Sequence, residues 1–188
     1  MGSFTKLNYK IIFHLMGLLL TVNGAFILIA AFVSYLFQDG VVFEMFLAGI
    51  VGSSIGGAVM LITKNHRKEI KKKEGYVIVT FGWIFMSLVG TLPYIFTGAI
   101  PSFTNAFFET MSGYTTTGAS ILSDIESIPK GVLFWRSTTH WIGGMGIIVL
   151  AIAILPLLGI GGMQLFTAEA PGPGGDKLHP RITDTAKR

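Results

Sequence analysis

The sequence contains no cysteine, which removes disulfide bridges, thiolate metal sites and cysteine nucleophiles from consideration. Charge is scarce as well. Asp, Glu, Lys and Arg make up 13% of the chain, against about 25% in soluble domains, and a water-soluble enzyme or a disordered chain does not fit that composition. His14, His66, His140 and His179 fall on different segments with no Asp or Glu at ligand spacing. No histidine metal centre is expected, and His140 is read as a hydrogen-bonded residue inside a helix bundle. There is no phosphate-binding glycine loop, no Ser-His-Asp arrangement and no catalytic carboxylate pair, so the chain is read as a non-enzyme.

Hydrophobic residues fill the space instead, at 51% of the 188 residues, and they lie in long runs. Four runs reach the ~20 residues that a helix needs to cross a bilayer: Ile11–Phe37, Val41–Thr63, Tyr76–Ala99 and Gly131–Leu158. The first is far longer than the apolar core of a signal peptide and is read as a retained helix. Twelve of the fourteen basic residues flank these runs on one side: Lys6 and Lys10, six within 64–74, and Lys177, Arg181, Lys187 and Arg188. The positive-inside rule makes that side cytoplasmic and puts both termini there. Asp39, Glu44, Asp124 and Glu126 mark the other side. The basic loop is a topology signal first, with docking to acidic lipid or a partner as the secondary reading.

The second run carries Gly49, Gly52, Ser53, Gly56 and Gly57, a small-residue spacing that lets helix backbones approach closely. Packing within the chain is the first reading and a dimer face the alternative. Pro93 and Pro156 are expected to kink their helices, and neighbouring groups must then satisfy the freed carbonyls. Gly143, Gly144, Gly146, Gly159, Gly161 and Gly162 serve close packing or a gating hinge.

Between the third and fourth runs lies residues 101–113, too apolar for a solvated loop. At ~1.5 Å per residue its helical part spans only about 18 Å, which is too short to cross. A re-entrant half-helix over 102–113 fits both facts, with Pro101 and Ser102 as start signals and Gly113 as the stop. The return, 114–120, reads Tyr114-Thr115-Thr116-Thr117-Gly118-Ala119-Ser120. Its β-branched threonines predict an extended chain, and Gly118 permits a conformation that other residues resist. Carbonyl and hydroxyl oxygens stacked along a watery axis can replace the hydration shell of a monovalent cation. The carbonyl end of the half-helix adds a favourable partial negative charge. Glu109, near that end, demands a partner, either the filter-loop amides or Arg136. Arg136 is explained equally by pairing or by snorkelling to the interface.

Residues Phe108 to Ser120, the run Phe134 to Gly146 and the tail Ala168 to Arg181 together resemble the Trk/Ktr/HKT potassium-transporter superfamily. The two runs that precede the first filter are similar to its TrkH/TrkG type. The resemblance implies an all-α polytopic membrane protein of potassium-channel-like fold. Its organisation would be an N-terminal two-helix domain (1–75), a first helix–pore loop–helix repeat (76–163) and a cytoplasmic linker or tail (164–188). It implies potassium uptake across a bacterial inner membrane, by symport or by membrane potential alone, with K+ as the bound ion and no organic cofactor. Thr116, Thr117 and Gly118 would supply ion ligands, with Thr115 and Ala119 flanking and Glu109 and Arg136 as filter support. A homodimer and a cytosolic nucleotide-binding ring of the TrkA type are the implied partners, besides membrane lipid and without nucleic acid. The single filter glycine predicts a shorter ion queue than a Thr-Val-Gly-Tyr-Gly filter, so a less selective Na+/K+ channel is one alternative. A non-transporting membrane scaffold or assembly subunit is the other. Because four repeats surround one pathway in that family, the 188 residues are expected to be the N-terminal part of a longer protein, or else one of four copies.

Overall fold

The computed structural model describes residues 8–64 and 72–154. Among them are six helices and no strand: α1 (Tyr9–Phe37), α2 (Val42–Ile62), α3 (Lys72–Gly90), α4 (Leu92–Phe96), α5 (Phe103–Tyr114) and α6 (Lys130–Ile154). Internal packing divides the chain into Met1–Gly144 and Met145–Arg188. Of the second unit, residues 145–154 are described, and they are helical.

Three of the expected spans are present as helices long and apolar enough to cross a membrane: Tyr9–Phe37, Val42–Ile62 and Glu74–Phe96. The fourth is helical over Lys130–Ile154; its expected end at Leu158, and the kink at Pro156, lie outside the described residues. The core of the first unit joins all of these elements. Ile27 from α1, Met45 from α2, Tyr94 from α4, Tyr114 from α5 and Trp135 from α6 are fully buried.

The small residues of α2 pack within the chain. A Cβ at Gly56 would overlap the Thr21 backbone nitrogen of α1, and one at Gly24 of α1 would overlap Ser53. Gly49 seats Leu28 of α1, and Gly52 meets Val89 of α3. Gly57, one residue on, faces open space. Without a hydrophobic force between helices in lipid, this close van der Waals contact holds α1 on α2. Gly56→Val is therefore expected to cost about 1–3 kcal/mol by overpacking and Gly57→Val almost nothing. Thermal unfolding of the two full-length variants in detergent checks the difference.

The third span is broken rather than smoothly kinked. α3 ends at Gly90, Thr91 makes the turn, and Pro93 sits in the first turn of α4, where its missing N–H is least costly. Thr91 Oγ1 donates to the Leu88 carbonyl at 2.6 Å. The Gly90 carbonyl accepts the Trp135 indole N–H at 3.0 Å. A neighbouring helix thus serves a carbonyl at the break, as a buried polar group requires.

Asp39, which in sequence is only an outer-side acid, ties the hairpin of α1 and α2 to α6. One carboxylate oxygen accepts the Ser34 hydroxyl and the Val41 N–H. The other accepts the Gly131 N–H at 2.8 Å. A carboxylate there faces the positive end of the α6 dipole and fills one of its orphan donors.

Candidate functional site

The half-helix expected at 102–113 is α5, Phe103–Tyr114, shifted by one residue at each end. Its buried side includes Ala106, Glu109, Thr110, Ser112 and Tyr114; Phe103 and Phe108 are exposed. The stop is not Gly113. That glycine is small because α6 lies against it: a Cβ would overlap the Thr139 hydroxyl.

The helix ends instead in a Schellman turn built from threonine. The Thr117 N–H donates to the Ser112 carbonyl at 3.0 Å, and the Thr116 N–H donates to the Gly113 carbonyl at 2.9 Å. Such a turn needs a left-handed residue, usually glycine, at the position that Thr116 occupies. Thr116 has φ 55°, a costly conformation for a β-branched residue. Thr115, the C-cap, has φ −82° and ψ 1°. The expected extended run of three threonines is therefore wrong at its first two members: closing the helix outweighs their β preference. Gly118 adopts φ 75°, a left-handed conformation that its lack of a Cβ permits.

The loop residues 115–120 are exposed, and their carbonyls divide into two kinds. The Thr115 carbonyl accepts the Thr116 hydroxyl at 2.7 Å, and the Ala119 carbonyl accepts the Ser112 hydroxyl at 2.6 Å. Between them, no hydrogen bond among the described residues is donated to the Thr116, Thr117 or Gly118 carbonyls. Thr115 Oγ1 and Thr117 Oγ1 lie 2.9 Å apart, and the former also reaches the Met111 carbonyl at 2.8 Å. The arrangement leaves three consecutive backbone oxygens with no donor among the described residues, at the negative end of a helix.

Glu109 holds the return of this loop. Its side chain is 1% exposed. One carboxylate oxygen accepts the Arg136 Nε–H at 2.7 Å, the other accepts the Ile121 N–H at 3.1 Å, and the Ser120 hydroxyl lies within 3.1 Å of both. Both partners named from the sequence are thus present together, and pairing rather than snorkelling accounts for Arg136. Such a charge-assisted set stabilises a buried carboxylate that the helix dipole alone would disfavour. His140 is half-buried, and its Nδ1 lies 3.0 Å from the Arg136 carbonyl. Among the described residues no cluster of His, Asp and Glu could hold a metal ion.

Two contacts at the base of the loop escape a sequence reading. The Tyr114 hydroxyl donates to Asn23 Oδ1 of α1, and the backbone of Gly143 in α6 lies so close to the Tyr114 carbonyl that a Cβ there would overlap it. Gly144 lies near the Thr116 methyl. Close packing is thus the observed use of Gly143, whereas a Cβ at Gly144 would make only an ordinary contact. The signal for Asn23 is a single amide in the middle of a 29-residue apolar helix, where an unpaired polar group is expensive.

Comparison with known proteins bears on this geometry. The family described as TrkH, cation transport protein, matches residues 42–188. The Trk system potassium uptake protein TrkH of Escherichia coli K12 is 42% identical over 183 residues, which cover 96% of this chain and 38% of that protein. The Trk system potassium uptake protein TrkG of the same organism is 36% identical, again over 96% of this chain and 38% of its own length. The crystal structure of the potassium transporter TrkH from Vibrio parahaemolyticus superposes with a TM-score of 0.77 at 36% identity, covering 96% of this chain and 36% of that one. The chain therefore spans a little over a third of the length of these relatives.

Proposed function

Given that the chain belongs to the TrkH family of cation transport proteins, we propose that it forms the N-terminal part of a potassium uptake protein and supplies one quarter of its ion filter. The observation that carries this reading is the run of three carbonyls, Thr116, Thr117 and Gly118, that no donor among the described residues engages. Carbonyl oxygens at the carbonyl end of a short helix suit a dehydrated monovalent cation. Thr115 and Ala119, whose carbonyls are engaged, flank the ligands. K+ is the transported ion and also the bound one. The names of the relatives support potassium.

One such loop surrounds only part of an ion. Three further filter segments, supplied by the rest of the full-length protein around a pseudo-fourfold axis, complete the coordination. In this organisation residues 1–75 are a two-helix domain, 76–163 the first pore repeat and 164–188 a cytoplasmic linker. The clustering of basic residues on one side supports cytoplasmic termini. A homodimer in a bacterial inner membrane, with a nucleotide-binding regulatory ring on its cytosolic face, is the assembly that the family membership favours.

The test is complementation. The full-length protein, expressed in a bacterium stripped of its own potassium uptake, is expected to restore growth at low K+ and to take up K+ in preference to Na+. Assembly in the membrane at normal levels without any restoration overturns the reading, and restoration without preference for K+ turns it into a less selective cation channel.

A further inference from the structure

α1 and α2 precede the helix–loop–helix unit that carries the filter, and a filter of this kind does not need them for ligands. Yet α1 reaches its base. Asn23 is fully buried, with its amide nitrogen donating to the Met86 carbonyl of α3 at 3.1 Å and its amide oxygen accepting the Tyr114 hydroxyl. Tyr114, itself fully buried, is the last residue of α5 and stands two positions before the left-handed Thr116.

The tyrosine is held from every side. Its ring lies 5.9 Å from that of Trp83 in α3, and its carbonyl lies against the Gly143 backbone. Its hydroxyl donates to Asn23, and both side chains are fully buried. Asn23 cannot shift freely, because the next residue, Gly24, is pressed against the Ser53 backbone of α2. The glycine seam between α1 and α2 therefore sets the height of Asn23, Asn23 sets Tyr114, and Tyr114 fixes where the helix gives way to the loop.

We infer that Asn23 is a positioning residue for the ion filter, so that the two leading helices govern ion discrimination without touching the ion. This rests on the filter reading above. Removing Asn23 leaves the Tyr114 hydroxyl buried without its acceptor, and removing the hydroxyl leaves Asn23 Oδ1 buried without its donor while the amide nitrogen keeps the Met86 carbonyl. The Schellman turn at Thr115–Thr117 can then relax to a neighbouring register.

The test uses the full-length transporter with Asn23→Leu, Tyr114→Phe and the double variant, reading the ratio of K+ to Na+ uptake. Tyr114→Phe deletes one oxygen and keeps the ring, so it decides the matter where Asn23→Leu fails to assemble. Each single variant is expected to lower the ratio by about tenfold, and the double variant no further than the worse single. An unchanged ratio in variants that assemble normally, or full additivity in the double, overturns the inference. Gly118→Ser in parallel separates the two layers. If it leaves K+ uptake and the ratio at wild-type values, the filter reading itself fails. If it abolishes preference while Tyr114→Phe does not, only the role of Asn23 fails.

Discussion

Truncating Glu109 to Ala in the full-length protein is expected to cost about 3–5 kcal/mol of stability, the usual penalty for stranding one partner of a buried ion pair. Arg136, with its side chain 16% exposed, keeps its charge and loses its counter-ion, while the Ile121 N–H and the Ser120 hydroxyl lose their acceptor. Glu109→Gln is no rescue, because the two carboxylate oxygens each accept an N–H, from Arg136 on one side and Ile121 on the other. Whichever way the amide is turned, its NH2 group faces a donor. Arg136→Ala strands the carboxylate in the same way. Removing both is expected to cost less than the sum of the singles, with a coupling of about 0.5–3 kcal/mol. Thermal unfolding of Glu109→Ala, Arg136→Ala and the double variant in detergent measures this. Uptake should fall with Glu109→Ala more than with Gly57→Val, since the lost tether frees the return of the loop proposed as the filter. A Glu109→Ala protein that unfolds and transports like the wild type sinks the brace.

The need for a partner at Glu109 was legible in sequence, though the choice between the loop amides and Arg136 was not. A glutamate near the carbonyl end of an apolar helix is unfavourable alone, and the nearby chain holds one arginine to answer it. The half-helix was legible for a similar reason: its length is wrong for a crossing and its composition wrong for a loop. The details at its end were not. Nothing in Thr-Thr-Thr announces a left-handed residue, and Gly113, the obvious stop, is spent on letting Thr139 of α6 approach. A Schellman turn is recognised by where its hydrogen bonds close, and Ser112 and Gly113 accept those bonds whatever their side chains.

Long-range pairs were hidden for a different reason. Asn23 and Tyr114 are 91 residues apart, and Asp39 and Gly131 are 92 apart. Each looks ordinary within its own segment, an amide in an apolar helix or an acid at a turn. Only the approach of α1 to α5 and α6 gives them partners. The glycines of α2 sit between the two cases. Their spacing announced close helix packing, but which of them touch α1, which touches α3 and which faces open space depends on the rotation of the helix.

Gly118→Ser is expected to remove potassium preference while leaving the protein assembled, and Gly98 supplies the comparison that makes this result interpretable. Gly118 has φ 75° and Gly98 has φ 72°. A Cβ at either would meet no atom within 4 Å, so crowding is not the issue at either position. Placing an L side chain in this conformation costs about 1–2 kcal/mol, and the two serine variants should lose similar amounts of stability. They differ in what the backbone does to escape. Gly98 closes the turn after α4, where its N–H donates to the Ile95 carbonyl and no proposed ligand is nearby. Gly118 carries one proposed ligand carbonyl and adjoins a second, Thr117, so any rotation away from positive φ swings these oxygens. A carbonyl facing a cation is worth at least the about 1.5–3 kcal/mol of a hydrogen bond to a charged group, so turning one aside should lower K+ preference by about tenfold or more. The strain already held at Thr116 leaves the loop little slack to absorb the change. In uptake assays Gly118→Ser should lose K+ over Na+ discrimination and Gly98→Ser should keep it, at matched stability. Equal transport by the two variants places the ion elsewhere and makes the loop a plain turn.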